Sequence, residues 1–114
     1  MPNYSPAIEN VLQALGDPTR RAVFAQLCKG PATVSDLAAP FKMALPSFVQ
    51  HLRVLEDSGL MTSSKKGRVR TCQARLTPLT ALEKWIADQR SMWERRLDQF
   101  DEYVTALYEE EKKK

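Results

Sequence analysis

The segment 44–60, ALPSFVQHLRVLEDSGL, decides the fold. Phe48, Leu52 and Leu55 follow one another at spacings of four and three, which predicts a helix with one buried face. Ser58-Gly59 predicts the end of that helix. The opposite face carries small, amide, imidazole and guanidinium side chains, a mixture that suits the reading of DNA base edges. The candidates on this face are Ser47, Gln50, His51 and Arg53.

The four side chains of this face have different predicted roles. Gln50 is the main candidate for base reading, because its amide can form two hydrogen bonds with adenine. His51 fits equally well as a phosphate contact or as part of a packing contact. Arg53 either contacts phosphate or pairs with Asp57, which lies four residues further along the helix.

A basic hairpin is predicted directly after this helix. The segment 61–73, MTSSKKGRVRTCQ, contains two β-compatible runs around the turn KKGR at 65–68. Between Thr62 and Arg75 there are basic side chains and no acidic one. Taken alone, the segment fits a solvated turn as well as a phosphate contact, but its position after the amide-bearing helix favours phosphate. The predicted phosphate contacts are Lys65, Lys66, Arg68 and Arg70.

Composition predicts one small domain over residues 1–114, with its core in residues 8–76. The chain has 114 residues, 43% of them hydrophobic, and a net charge of +3. Basic side chains outnumber acidic ones before residue 78 and not after it, so the first part of the chain is expected to face a polyanion. No apolar run approaches the roughly 20 residues that cross a bilayer, and no signal peptide is apparent. We therefore expect a cytoplasmic protein with no membrane partner.

Three further helices are predicted before the basic hairpin. One runs from Ala7 to Leu15 after a loose arm at 1–6, and a second follows the capping pair Asp17-Pro18 and stops at 29–31. A third, short helix begins at Thr33 or Val34 and forms a helix-turn-helix pair with the helix at 44–60. In the second helix, the side chains expected to be buried are Ala22, Val23, Leu27 and Cys28.

The longest helical pattern runs from Thr77-Pro78 to about Glu111, followed by a frayed tail at 112–114. Such a helix reaches roughly 45–50 Å, which is further than a domain of this size can cover. A second copy of the chain in a twofold homodimer is the expected partner, and a helix folded back on its own core is the alternative. The candidate interface residues are Leu82, Trp85, Ile86, Trp93, Leu97, Phe100 and Val104.

Four segments, LGDPTRRAVFAQL, SDLAAPF, ALPSFVQHLRVLEDSGL and KKGRVRTCQARL, resemble the ArsR family of winged-helix transcriptional repressors. The resemblance covers nearly the whole chain from about Ile8. It implies a mainly α fold, a winged helix-turn-helix with a two-stranded β-wing and a long C-terminal dimerisation helix at 77–111. It also implies a homodimer that docks two recognition helices in successive major grooves of a near-palindromic operator. The implied output is repression of a promoter, often the protein's own.

The chain departs from the family at the places where relatives bind metals. Thr33 and Ser35 stand where one family site has two cysteines, and residues 78–114 contain no histidine. We therefore expect no metal site and no cofactor. A redox-responsive repressor is a less favoured alternative, because a structural role is expected for both Cys28 and Cys72. Of the two, Cys72 is expected to be the more reactive thiol, because Arg70 and Arg75 would promote its thiolate. An unknown small-molecule inducer is left open.

Two other classes of function compete with a DNA-binding repressor. An enzyme is disfavoured and not expected, because the single histidine has no Cys-His or Ser-His-Asp partner spacing and the chain has no glycine-rich phosphate loop. A protein-interaction module that uses only the long C-terminal helix is the remaining alternative. Salt-dependent DNA binding distinguishes it from a repressor.

Overall fold

The computed structural model describes residues 6–112. The predicted loose arm lies outside this range except for Pro6, and the predicted tail lies outside it beyond Lys112. The mainly α fold with a long C-terminal helix is confirmed. In chain order, the elements are α1 (Pro6–Leu15), α2 (Pro18–Lys29), β1 (Ala32–Thr33), α3 (Val34–Ala38), α4 (Leu45–Asp57), β2 (Met61–Lys66), β3 (Val69–Ala74) and α5 (Thr77–Lys112).

Side-chain caps fix the starts of the short helices. Asp17 caps α2 as predicted, and its Oδ2 accepts a hydrogen bond from the backbone N–H of Arg20 at 3.0 Å. Thr33 caps α3 by accepting from the backbone N–H of Asp36 at 3.1 Å. Helix α4 ends at Asp57 with Ser58 as its C-cap, and Gly59 follows with φ +82°, a backbone conformation that other residues rarely adopt. The sequence predicted the cap at Asp17 and the stop at Ser58-Gly59, whereas for α3 it predicted only a start at Thr33 or Val34.

The predicted hairpin is present, and it belongs to a small antiparallel sheet with strand order β1-β3-β2. Strand β1 pairs Ala32 with Cys72 and Thr33 with Thr71. The sequence did not predict this strand, because two extended residues carry no periodicity and their partner lies far along the chain. β1 therefore ties the start of α3 to the hairpin.

The core of the first compact unit, which ends at Leu82, is entirely apolar within the described residues. It contains the predicted stripe of α4 and one or two side chains from each neighbouring element. The prediction that Ala22 and Cys28 are buried is wrong, because each lies one residue, or about 100° of helix, away from the inward-facing Val23 and Leu27. The buried set is Val11, Ala14, Val23, Leu27, Leu37, Phe48, Leu52, Leu55, Leu60, Met61 and Cys72.

Helix α5 begins in the first unit and forms the second unit from Glu83 onward. Near its start, Leu79 and Leu82 are half-buried against the core. No side chain of the helix is fully buried. Among the described residues, no helix combines the length and the apolar character that crossing a membrane would take.

Candidate nucleic-acid interface

Helix α4 presents its polar face to solvent. Phe48 and Leu55 are completely buried and Leu52 is nearly so, which fixes the rotation of the helix. As a consequence, three of the four predicted contacts on the opposite face are exposed, while the fourth is half-buried. The exposed side chains are Ser47, Gln50 and Arg53, and the half-buried one is His51. A helix of about 10–12 Å diameter fits the major groove, so this face is presented in a form that DNA can accept.

His51 differs from its neighbours because a second helix holds its ring. Its Nδ1 lies 3.1 Å from Nη1 of Arg20 and 3.8 Å from Oδ2 of Asp17. The hydrogen bond from the backbone N–H of Arg20 is the main cause that lowers the pKa of Asp17 below 3.8. Sequence reasoning missed this contact. The Asp-Pro-Thr-Arg segment predicted the cap, but nothing local connects Arg20 to a ring 31 residues away.

Arg53 does not form the ion pair that was one of its two predicted roles. Within residues 6–112, the only basic and acidic side chains within salt-bridge distance of each other are those of His51 and Asp17. Arg53 is exposed and lines a shallow groove between α4 and the hairpin, together with Glu56 and Arg70. Its guanidinium therefore stays available to an anion.

The hairpin exposes its basic tip. Lys65 pairs in register with Arg70 and Lys66 with Val69, and Gly67 makes the turn with φ +64°. Lys65, Lys66 and Arg68 are exposed, and none of them forms an ion pair within the described part of the chain. Three such cations on a short ribbon suit the phosphate backbone of DNA.

Arg70 is engaged within the protein. Its Nη1 donates to Oγ of Ser63 at 2.8 Å, and that hydroxyl donates to Oε1 of Glu56 at 2.8 Å. This chain of hydrogen bonds joins β3 through β2 to the last turns of α4. Ser63 and Glu56 were also missed from the sequence, because their contact depends on how the hairpin packs against the helix.

The candidate interface residues on α5 fall into two groups. Leu82 lies in the first unit and is half-buried against the core there, which leaves only part of its side chain for a partner. The six others lie in the second unit and are exposed: Trp85, Ile86, Trp93, Leu97, Phe100 and Val104. A row of six large apolar side chains exposed on one helix typically marks an interaction site.

The expectation that Cys72 is the more reactive thiol is wrong. Cys72 is completely buried, and burial raises the pKa of its thiol, with Glu56 adding to the rise and Arg70 only partly opposing it. Cys28 is the exposed thiol. Within residues 6–112, no three His, Cys, Asp or Glu side chains are grouped so as to hold a metal ion.

A surface hollow of about 310 Å³ lies between α2 and α3, lined in part by Val23, Leu37 and Phe41.

Helices α3 and α4 with the β2–β3 hairpin define a winged helix-turn-helix domain, the class of fold that binds DNA through its second helix and its wing. A family model described as a helix-turn-helix domain matches residues 15–64. A crystal structure of an ArsR family transcriptional regulator, RHA00566, is 54% identical, covers 82% of this chain and 97% of its own, and superposes with a TM-score of 0.78. The chain belongs to the ArsR family of transcriptional regulators.

Other similar proteins agree with this assignment. The transcriptional regulator Rv2034 of Mycobacterium tuberculosis is 35% identical over 81% of this chain and 83% of its own length. The transcriptional repressor SdpR of Bacillus subtilis is 34% identical over 54% of this chain and 68% of its own. A homodimeric winged helix-turn-helix DNA-binding domain from Mycobacterium bovis, 22% identical, has a TM-score of 0.58 over 79% of this chain and 93% of its own. Rv2034 and SdpR are named as transcriptional regulators, as is RHA00566, which agrees with the expectation that this chain is a regulator and not an enzyme.

Proposed function

We propose that this chain is a sequence-specific transcriptional repressor that binds a near-palindromic operator as a homodimer and regulates its own promoter in the cytoplasm. The observation that carries the proposal is the exposed polar face of α4 beside the exposed basic tip of the wing, both in one compact unit. The repressor named among the relatives and the homodimeric neighbour support it.

Each part of the surface has a proposed role. Gln50 reads a base edge, with Ser47 beside it, while Arg53 contacts phosphate. Lys65, Lys66 and Arg68 contact the flanking backbone and carry no sequence information of their own. Arg70 acts mainly by joining the wing to α4 through Ser63, since its guanidinium already donates to that hydroxyl.

We further propose that residues 1–114 work as one domain, in which residues 8–76 bind DNA and residues 77–111 join the two copies. The exposed apolar face of α5 supports this division. Repression then follows from occupation of the promoter, with each recognition helix in one half-site of the operator.

The exposed face of α5 also favours a second candidate, a module that uses this helix to bind a different protein and does not bind DNA. A redox-responsive repressor is a weaker candidate, because it would require the buried Cys72 to react. A small-molecule inducer stays a prediction without an assigned site.

The test is the binding of the purified protein to a labelled fragment from upstream of its own gene and to a scrambled duplex, by fluorescence anisotropy across a salt series. A repressor binds the upstream fragment more tightly and shows a steep negative salt slope. Equal and weak binding to both duplexes contradicts self-regulation, and no salt-dependent binding to either supports the interaction module.

Two variants assign the contacts. Gln50→Ala is expected to cost about 1–3 kcal/mol on the specific fragment and little on the scrambled one. Arg68→Ala is expected to weaken both and to reduce the salt slope by about one. Matched controls are Gln99→Ala and Arg95→Ala, which remove the same groups from exposed positions of α5. An unchanged salt slope for Arg68→Ala would exclude the wing from phosphate binding.

A further inference from the structure

Arg20 connects three helices of the first unit. Its Nε donates to the carbonyl of Ala14 at 2.7 Å and its Nη2 to the carbonyl of Gln13 at 2.9 Å, so it satisfies carbonyls in the last turn of α1. Its Nη1 lies 3.1 Å from Nδ1 of His51 on the recognition helix. One side chain of α2 thus holds both the end of α1 and a ring next to Gln50.

The chemistry of this contact determines where the imidazole carries its proton. A guanidinium can only donate hydrogen bonds, so Nδ1 of His51 must accept and the proton must be on Nε2. Asp17 does not compete for Nδ1, because the 3.8 Å from its Oδ2 to that nitrogen exceeds a hydrogen bond. The neutral ring therefore has a defined tautomer with one donor, Nε2–H.

That donor reaches the protein surface. The side chain of His51 is 24% exposed, and within the described residues its only hydrogen bond is the one to Arg20. In this part of the chain, every side-chain nitrogen or oxygen that is shielded from solvent has a hydrogen-bond partner. Because Nε2 of His51 has none, it must be accessible to solvent. The recognition helix thus carries a fixed N–H donor that no group of the described chain uses.

We propose that Arg20 is a positioning residue for DNA recognition: by holding Nδ1 of His51, it presents Nε2–H of that ring to a phosphate oxygen of the operator backbone. This rests on the proposed function, because it needs α4 in the major groove. A phosphate oxygen is the acceptor that fits, since a single donor at a half-buried ring suits the fixing of register better than the reading of a base edge. Arg20 itself touches no DNA.

The tautomer is tested first, in the free protein. His51 is the only histidine of the chain, so the imidazole ¹⁵N resonances of uniformly labelled protein belong to it. At pH 8, where an ordinary imidazole is neutral, we expect a protonated Nε2 and an unprotonated Nδ1. A protonated Nδ1 overturns the proposal without reference to DNA. In the Arg20→Lys variant we expect the preference for one tautomer to weaken.

Two replacements of His51 separate the two ring nitrogens. His51→Asn keeps an acceptor near Nδ1 for Arg20 but removes the donor at Nε2, whereas His51→Gln keeps an amide donor near the position of Nε2. We expect His51→Asn to weaken operator binding about 10-fold or more and to reduce the salt slope, and His51→Gln to retain part of the affinity. Equal affinity of His51→Asn and the unchanged protein overturns the proposal.

A double-mutant cycle tests whether Arg20 acts through His51. Arg20→Lys should weaken operator binding in the unchanged protein and have little further effect when His51 is already alanine. The matched control is Arg21→Lys, since Arg21 also donates to an α1 carbonyl, that of Leu15 at 2.7 Å, but does not contact His51. Equal effects of Arg20→Lys in both backgrounds would show that it acts by another route.

Thermal unfolding of every variant separates loss of fold from loss of positioning. A variant that binds weakly but unfolds at an unchanged temperature supports positioning. The Gln50→Ala variant distinguishes the two levels of the argument. If Gln50→Ala weakens operator binding and the His51 variants do not, the inference fails while the proposed function stands. If none of them changes binding, the proposed recognition face itself is wrong.

Discussion

Replacement of Phe100 by alanine is expected to dissociate the proposed homodimer without unfolding the chain. Phe100 is 63% exposed, so most of its ring is available to a partner. Taking about 200 Å² for an aromatic side chain, roughly 120 Å² remains to be covered. At about 25 cal/mol per Å², full coverage contributes about 3 kcal/mol for each copy of the ring.

A twofold interface contains this ring twice, so the gross loss approaches about 6 kcal/mol for the dimer. Coverage is rarely complete and the alanine keeps its Cβ, so we expect a loss of about 3–5 kcal/mol. That loss raises the dimer dissociation constant by at least about 100-fold. Sedimentation equilibrium over a range of protein concentrations measures this constant directly. The α-helical circular dichroism signal at matched concentration reports whether α5 stays folded.

The matched control is Arg95→Ala. Arg95 is exposed on the same helix, but it lies about 160° around the axis from Trp93, whereas Phe100 lies within about 20° of it. We expect Arg95→Ala to change the dissociation constant much less. A dimer as tight in Phe100→Ala as in the unchanged protein would refute the argument for this face. An unchanged chain that stays monomeric at every concentration would refute the homodimer as a whole.

Three further predictions concern the first unit. Phe48→Ala should lower the free energy of unfolding by about 3–5 kcal/mol, because Phe48 is completely buried, and urea denaturation measures the loss. Asp17→Asn should destabilise the chain at neutral pH, because the pKa of Asp17 is lower in the folded state than in the unfolded state. The ionised carboxylate therefore stabilises the fold at a pH above its unfolded-state pKa. That stabilisation is lost as the pH falls through the folded-state pKa. The difference in melting temperature between Asp17→Asn and the unchanged protein should therefore shrink below about pH 3.8. A maleimide should label Cys28 at once and Cys72 only on unfolding, and mass spectrometry that finds both labelled at equal rates in the folded protein would contradict the burial of Cys72.

The elements of the fold that carry local signals could be predicted from the sequence. Spacing alone oriented α4, and the capping signals at Asp17 and Gly59 placed helix boundaries that the structure confirms. Strand β1 could not be predicted, because its two residues are extended only through pairing with Thr71 and Cys72 of β3. Burial of single residues also escaped prediction where a helix has a narrow inward face, as at Cys28.

The candidate site shows the same division between local and non-local information. The composition of the α4 face and of the wing tip marks which side chains are available, and the structure finds most of them exposed. The partners that orient them are distant in sequence. Arg20 contacts a ring 31 residues away, and Arg70 contacts a serine seven residues away across the hairpin. Such contacts follow from tertiary packing, and no local pattern specifies them.

The contact of Arg20 with His51 and the Arg70–Ser63–Glu56 chain of hydrogen bonds share one feature, which is that each holds helix α4. Within residues 6–112 the core is apolar, and two of the side-chain hydrogen bonds that link separate elements end on α4. One reaches His51 near the middle of that helix, and the other reaches Glu56 in its last turn. Apolar packing is non-directional, and it suffices to hold the fold together. Hydrogen bonds are directional, so they can set the angle at which a helix is presented. A helix that must match fixed acceptors in DNA gains most from such directional contacts. Breaking either network should therefore lower operator affinity more than it lowers the free energy of unfolding.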